Sequence, residues 1–300
     1  MRRARRCAAV VAEIVAALLL ATLPAAAATV RGLVGHAPTV VEVSPSGPVR
    51  SIREALTRVA RGGTIVVHAG IYRDTTIVVT IPVTIVGEGD AILDGESKRQ
   101  IMTVTGDSVT VRGLHFENVG VAFTEDLAAI KVVRASACVI AHNRIDNAFF
   151  GIYLQEASGC LIQGNDLHAT HQRDASSGNG IHLWHSRDVT IADNRVSGHR
   201  DGIYFEFTRE AHVRDNVSRD NLRYGLHFMY SDSCDYTRNT FRHNGAGVAV
   251  MYSKHVRMVA NRFEGNRGSS AYGLLLKDMA DSQLEENVFS DNSTGLVADG

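Results

Sequence analysis

A repeat with one constant spacing dominates the sequence. A Gly-apolar-x-apolar motif is followed 14 residues later by an Asn, as from Gly151 to Asn165, whereas the distance from that Asn to the next motif varies between 8 and 15 residues. The motif and its degenerate first copy start at Ala129, Gly151, Gly180, Gly202, Gly225, Gly247 and Gly273. A short repeat whose insertions all fall in one turn is typical of a solenoid.

The residues before each Asn alternate in character, which identifies the repeating element as a strand. The third residue before the Asn is apolar or aromatic throughout, and the fourth ranges from Val139 to Asp235. This period of two predicts short β-strands, and the repeat leaves no room for crossover helices. The predicted fold class is therefore all-β, a right-handed single-stranded parallel β-helix in which each coil adds about 4.8 Å.

Stacking of coils places like residues in columns. The repeated Asn residues, from Asn143 to Asn287, predict a hydrogen-bonded ladder at one turn. Phe241, Phe263 and Phe289 predict an aromatic stack inside the coil.

Three cysteines share one inward column. Cys138, Cys160 and Cys234 each lie five residues before a ladder Asn, which favours small buried apolar residues. A disulfide between Cys138 and Cys160, on adjacent coils, and a thiolate metal site are the alternatives.

The chain divides into three predicted parts. Residues 1–28 combine four arginines, a short apolar run and an alanine run, as a secretory signal peptide does. A membrane anchor is the alternative, but the run is shorter than the roughly 20 residues of a span. Residues 29–64 form a cap with a short helix, which Ser51 and Glu54 begin as a capping box. Residues 65–300 form the β-helix, which we expect to be incomplete at its C-terminus.

Charge restricts the possible partners. The chain has 31 Lys and Arg against 32 Asp and Glu, so it lacks the basic surplus of a nucleic-acid-binding protein. No segment after residue 28 is apolar enough to span a membrane.

The outward positions of the Gly-motif strand predict a binding face, because soft and aromatic side chains recur there with few charges. This predicted face comprises Tyr153, His182, Trp184, Tyr204 and Glu206, and beside them His227, Met229 and Met251. An imidazole with two thioethers suits Cu(I), so His227, Met229 and Met251 are the predicted metal ligands.

Two alternatives to this metal site remain. The face could dock a protein without any metal. His168 and His171, in the longest inserted turn, are weaker metal candidates.

Many β-helices are polysaccharide lyases, hydrolases or epimerases, so catalysis is the competing function. Such chemistry needs paired carboxylates, or a base with a charge neutraliser, in a groove. Glu206 is the one acid at the outward positions, and no catalytic residues are predicted. The competing hypothesis is a uronan lyase or epimerase.

Three segments, Gly180-Ile-His-Leu-Trp184, Gly202-Ile-Tyr-Phe-Glu206 and above all His227-Phe-Met-Tyr-Ser231, give the chain a resemblance to the NosD family. It implies a periplasmic, non-enzymatic β-helix protein that binds copper and helps to build the copper–sulfide site of nitrous oxide reductase. The implied partners are the ATPase and membrane subunits of an ABC transporter, a copper-chaperone lipoprotein and nitrous oxide reductase itself.

Overall fold

The computed structural model describes residues 37–122, 124–170 and 177–300, and within them the chain is a parallel β-helix. This confirms the predicted fold class. The predicted signal peptide, residues 1–28, lies outside the described residues, as do residues 29–36 of the predicted cap.

Twenty-nine strands follow one another in the described residues. The strands of the first coils are β1 Val40–Val43, β2 Thr64–Tyr72, β3 Ile77–Val79, β4 Thr84–Asp94, β5 Met102–Val104, β6 Thr110–Arg112, β7 His115–Glu117, β8 Ala128–Val133, β9 Val139–Ala141 and β10 Arg144–Asp146. The middle coils contain β11 Phe150–Gln155, β12 Leu161–Gln163, β13 Asp166–His168, β14 Ile181–Trp184, β15 Thr190–Ala192, β16 Arg195–Ser197, β17 Asp201–Glu206, β18 His212–Arg214, β19 Val217–Arg219 and β20 Tyr224–Met229. The last coils contain β21 Asp235–Thr237, β22 Thr240–Arg242, β23 Ala246–Met251, β24 Arg257–Val259, β25 Arg262–Glu264, β26 Leu274–Lys277, β27 Gln283–Glu285, β28 Val288–Ser290 and β29 Leu296–Asp299.

The strands build about 11 coils from two sheets of the described chain. Ten strands, every third one from β5 to β29 together with β3, form one sheet in which each pairs in parallel with the next coil. The other 19 form a second sheet of two columns, which the long strands β2 and β4 join. We call the ten-stranded one the Gly-motif sheet because every motif strand lies in it.

One α-helix, α1 Ile52–Arg58, stands in the described chain and lies against the first coil. Ser51 is its N-cap, as predicted, since its Oγ accepts from the Glu54 N–H at 3.1 Å. The second half of the predicted capping box differs, because the Glu54 carboxylate accepts from the N–H of Arg50 at 3.2 Å. Ile52 and Ala55 are its buried residues and join the core.

The repeated Gly is a steric requirement of the coil stacking. A Cβ added at Gly225 would lie 2.8 Å from the carbonyl oxygen of Gly247, and one at Gly247 would lie 2.1 Å from that of Gly273. Each Gly therefore lets the next coil approach to the spacing of hydrogen-bonded strands. This fixes the register of the whole Gly-motif sheet.

The predicted Asn ladder is present. The amide Nδ2 of Asn194 donates to Oδ1 of Asn216 at 3.0 Å, and Asn216 donates likewise to Asn239 at 2.9 Å. A second ladder, which the sequence analysis missed, runs through Asn221, Asn244, Asn266 and Asn292. Both ladders satisfy buried backbone groups at turns, where unpaired groups would be costly.

The predicted interior columns are also found. Phe263 stacks on Phe241 and on Phe289, with ring centroids 5.6 and 4.7 Å apart. Among the described residues, Cys138, Cys160 and Cys234 are buried free thiols. Cys138 and Cys160 lie on adjacent coils, and the Cys160 thiol donates to the carbonyl oxygen of Ser158 at 3.5 Å.

Candidate functional site

Parallel register gathers the predicted face residues into two rows on the outer surface of the Gly-motif sheet. The imidazole row consists of Tyr153, His182, Tyr204 and His227 on successive coils. The thioether row consists of Trp184, Glu206, Met229 and Met251. The sequence period therefore placed these eight side chains on one face, as expected for alternate residues of paired strands.

The imidazole row is a continuous stack of rings. His182 lies 4.4 Å from Tyr153 and 4.8 Å from Tyr204, and Tyr204 lies 5.1 Å from His227, measured between ring centroids. The row is less exposed than predicted, because Tyr153 and His227 are only 6% and 7% exposed. The physical reason is the residue preceding each motif Gly, since Phe150 and Tyr224 fold over the row and contact it.

His227 is the least satisfied side chain in the row. Both ring nitrogens are buried, and neither has a hydrogen-bond partner. Burial, reinforced by the positive charges of Arg223 and Arg200, lowers the pKa of His227 to about 4. The imidazole is therefore neutral at neutral pH, with a lone pair available to a metal ion.

His182 has a different environment. Asn179 Nδ2 lies 3.0 Å from Nδ1 of His182 and donates to it, which leaves the ring proton on Nε2. Burial, with help from Arg200 and Lys131, lowers the pKa of His182 to about 3. His182 is two coils from His227, with Tyr204 between them, so the two imidazoles do not converge.

A charged group borders the imidazole row that the sequence analysis did not identify. Asp201 is fully buried, and its Oδ2 lies 3.5 Å from Nε of Arg200. Burial raises the pKa of the Asp201 carboxyl against the opposing effects of Arg200 and Arg223. The sequence could have indicated this pair by its position, because Arg200 and Asp201 directly precede a motif Gly, where the chain turns onto the face.

The thioether row brings two methionines together. Met229 and Met251 are directly opposed in parallel register, and Glu206 is the neighbour of Met229 on the preceding coil. Both methionines are half-buried. His227 and Met229 are two residues apart on β20, hence on the same face with Cα atoms roughly 6.6 Å apart.

Among the described residues, no three His, Cys, Asp or Glu side chains gather closely enough to hold a metal ion. A metal held here by three side chains would therefore need a donor of another kind, and the methionine sulfurs are the soft candidates on this face. That donor set is soft and neutral, which suits Cu(I) better than Zn²⁺ or Mg²⁺.

Of the two weaker metal candidates, His168 does not join this face. His168 is exposed on β13, in the other sheet, and its Nδ1 lies 3.1 Å from Oγ of Ser197. His171 lies outside the described residues.

A third row, missed in the sequence, lies one residue beyond the thioether row. We call it the aromatic ladder; its members are His185, Phe207, Tyr230 and Tyr252. Successive ring centroids are 4.7, 5.3 and 5.1 Å apart with interplanar angles of 21°, 12° and 12°. All four residues have φ near +50°, which side chains of this size rarely adopt. The signal was an aromatic residue five positions after the motif Gly in four consecutive coils.

No helix in the described part of the chain has the length and apolar character needed to cross a bilayer.

Comparison with known proteins identifies a family for the part of the chain that contains most of this face. Residues 167–300 match the family described as "Periplasmic copper-binding protein (NosD)". This range includes all of the thioether row and all of the imidazole row except Tyr153. No protein with a curated description matches the chain.

Solved structures with the same fold are distant in sequence. Tailspike protein 2 from Escherichia coli O157:H7 bacteriophage CAB120 is 10% identical with a TM-score of 0.60, over 78% of this chain and 36% of its own. The family 28 exopolygalacturonase of Yersinia enterocolitica is 14% identical with a TM-score of 0.68, over 86% of this chain and 67% of its own. The periplasmic alginate epimerase AlgG is 15% identical with a TM-score of 0.55, over 84% of this chain and 70% of its own.

The chain thus spans little more than a third of the tailspike protein's length. At such low identities these likenesses establish the fold and not an activity. The family match is of a different kind, since it covers the motif that contains His227 and Met229. Over residues 167–300, the chain is a NosD-family domain built as a parallel β-helix.

Proposed function

We propose that this protein is a periplasmic accessory factor that holds Cu(I) on His227, Met229 and Met251 during assembly of the copper–sulfide site of nitrous oxide reductase. The observation that carries the proposal is the buried imidazole of His227. Neither of its ring nitrogens has a hydrogen-bond partner, and it lies two residues from one of a pair of opposed methionines. A buried polar group without a partner is costly, and a bound ion is one way to satisfy it.

The donor set fits copper in its reduced state. A neutral imidazole and two thioethers are soft ligands without charge, which favours Cu(I) over harder divalent ions. Because the pKa of His227 is about 4, no proton has to leave the ring before a metal binds at neutral pH. Glu206, next to Met229, is the one carboxylate in the thioether row and would stand near the ion's positive charge.

The family description, which names a periplasmic copper-binding protein, supports a periplasmic location for the protein. We assign it the periplasm, an ABC transporter with ATPase and membrane subunits, a copper-chaperone lipoprotein and nitrous oxide reductase as partners. Copper is cargo in this assignment. The protein itself is an accessory factor and not an enzyme.

A Cu(I) titration of the mature protein against a competing chelator tests the assignment. The variant His227→Ala/Met229→Leu/Met251→Leu should lose the site, and the exposed His255→Ala variant should retain it. Unchanged Cu(I) affinity in the triple variant would contradict the ligand set. Uronan lyase or epimerase activity of the purified protein would contradict the non-enzymatic role.

A further inference from the structure

The inserted turn at residues 267–272 forms one wall of an open surface cavity that the copper assignment does not use. The cavity has a volume of about 310 Å³, and its other walls are residues 222–224 and 245–246. Its volume is at the lower end of the range for small-molecule sites, roughly 300–1,000 Å³. The insertion thus creates a concave surface on an otherwise regular coil.

The charge of the cavity wall has one sign. Arg223 and Arg267 line it, and among the described residues no Asp or Glu does so. Arg267 reaches out to Asp291, where its Nε donates to the backbone carbonyl oxygen at 2.8 Å and its Nη2 lies 3.3 Å from Oδ1. The two side chains are 68% and 77% exposed, so the ion pair contributes little free energy and the Nη2 group of Arg267 can bind another anion at small cost.

Two aromatic rings and two hydroxyls complete the cavity. Tyr224 and Tyr272 have ring centroids 6.5 Å apart and planes 27° from parallel, and the guanidinium of Arg223 lies 5.1 Å from the Tyr224 ring. Ser269 and Ser270 add exposed hydroxyl groups from the inserted turn. Aromatic rings accept the apolar face of a ring-shaped ligand, and guanidinium groups bind carboxylates in a planar, bidentate manner.

We propose that this cavity binds a carboxylate carried on a sugar ring, a uronic acid unit. The two arginines orient the carboxylate, a tyrosine ring packs against the sugar, and the serine hydroxyls pair with sugar hydroxyls. Each requirement of a uronate is met by a different kind of side chain in the cavity. An inorganic anion would use the arginines alone, and a neutral sugar would offer no charge to the two guanidinium groups.

The cavity is separate from the copper ligands but adjoins them. Tyr224 forms one wall and also contacts the ring of His227, with centroids 4.7 Å apart. None of the residues lining the cavity is a proposed copper ligand. The proposal therefore stands whether or not the copper assignment does.

Calorimetric or NMR titration of the full chain with D-glucuronate tests the proposal, with D-glucose and acetate as probes that lack the charge and the ring respectively. We expect saturable glucuronate binding, and at least about tenfold weaker binding of glucose and acetate, the effect of losing a charge-assisted hydrogen bond or a packed ring. Arg267→Gln and Arg223→Gln should each weaken glucuronate binding by a similar factor. Arg209→Gln, which removes an exposed guanidinium elsewhere, should not.

Three results would overturn the proposal. They are no saturable glucuronate binding, equal affinity for acetate or glucose, and wild-type affinity in both Arg223→Gln and Arg267→Gln. Arg267 is exposed, so its replacement should leave the fold intact, and a circular dichroism spectrum checks this. Cu(I) affinity measured on Arg267→Gln separates the two sites, because only uronate binding should change.

Discussion

The ring of Phe207 stacks on the ring of Tyr230 with centroids 5.3 Å apart and planes 12° from parallel, although both residues have φ near +50°. The two side chains remain 41% and 45% exposed. Because stacking covers the ring faces, the exposed surface consists of ring edges. The turn conformation would be cheaper with Gly or Asn, so the stacking offsets part of the cost of an aromatic residue there.

This balance can be measured by replacing the ring with Gly. Tyr230→Gly removes about 1 kcal/mol of left-handed strain but also two stacking contacts of about 0.5–1.5 kcal/mol each, so we expect the stability to be unchanged or lower. Arg134→Gly is the matched control, because Arg134 occupies the same turn position with φ +50° and lies outside the aromatic ladder. Arg134→Gly should raise the urea midpoint of unfolding. An equal rise for Tyr230→Gly would show that ring stacking contributes nothing to stability.

The motif glycines should differ in tolerance along the solenoid. Gly225→Ala places a methyl group 2.8 Å from the carbonyl oxygen of Gly247, and we expect a loss of about 2–3 kcal/mol in the free energy of unfolding. Gly295→Ala is the control, because the nearest atom would be 3.8 Å away. Its effect should stay within about 0.5 kcal/mol. Equal urea midpoints for the two variants would contradict the steric role of the column.

The Asn ladder should be most sensitive at its centre. Asn216→Ala removes the acceptor of the Asn194 N–H at 2.9 Å and the donor to Oδ1 of Asn239 at 2.9 Å, in a site that is 1% exposed. We expect a loss of about 2–4 kcal/mol, because buried groups are left unsatisfied. Asn287→Ala, at a half-buried position of the same ladder, should cost about 1 kcal/mol, since water can replace the amide. Thermal or urea unfolding of Asn216→Ala and Asn287→Ala measures the two losses of stability. Equal losses would contradict the expected effect of burial.

The free energy of unfolding should fall as the pH is lowered, and His227 should account for part of that fall. Its folded pKa of about 4 lies below the ordinary histidine value of 6.5, so below pH 6.5 the unfolded chain binds the proton more readily. The stability that the neutral ring supplies is present above pH 6.5 and is lost as the pH falls toward 4. Between pH 7.5 and 5 the wild type should lose about 2 kcal/mol more than His227→Gln.

Urea midpoints of both proteins at several pH values check this prediction. The two curves should run parallel between pH 7.5 and 8.5, where the ring is neutral in both states, and should approach each other below pH 6.5. Parallel curves over the whole range would contradict the proposed desolvation of His227.

The sequence predicted the columns well because a parallel solenoid repeats its steric demands in every coil. A side chain at the motif Gly would collide with a neighbouring carbonyl. Asn165 and Asn194 belong to the ladder that pairs buried backbone groups, so both residue types recur with little variation. Periodicity also assigned His227 and Met229 to one outward face. These are local consequences of strand geometry, which a single sequence records directly.

The sequence did not predict what covers that face. The burial of Tyr153 and His227 depends on the side chains of Phe150 and Tyr224, which precede the motif and fold back over the row. The aromatic ladder was missed because its turn conformation is ordinarily filled by small or polar residues. The cavity beside Tyr272 depends on the path of an inserted turn, which spacing alone does not determine.

Because the segment from each motif Gly to its Asn has constant length, position along the solenoid axis changes in steps of one whole coil. Removing one complete coil would move the proposed copper ligands one coil closer to the N-terminal helix and leave their side-by-side pairing in place. Lengthening the variable turn would instead enlarge the wall of a surface cavity and leave the position of every coil unchanged. Distance along the axis and shape of the surface are thus two quantities that this fold can alter independently.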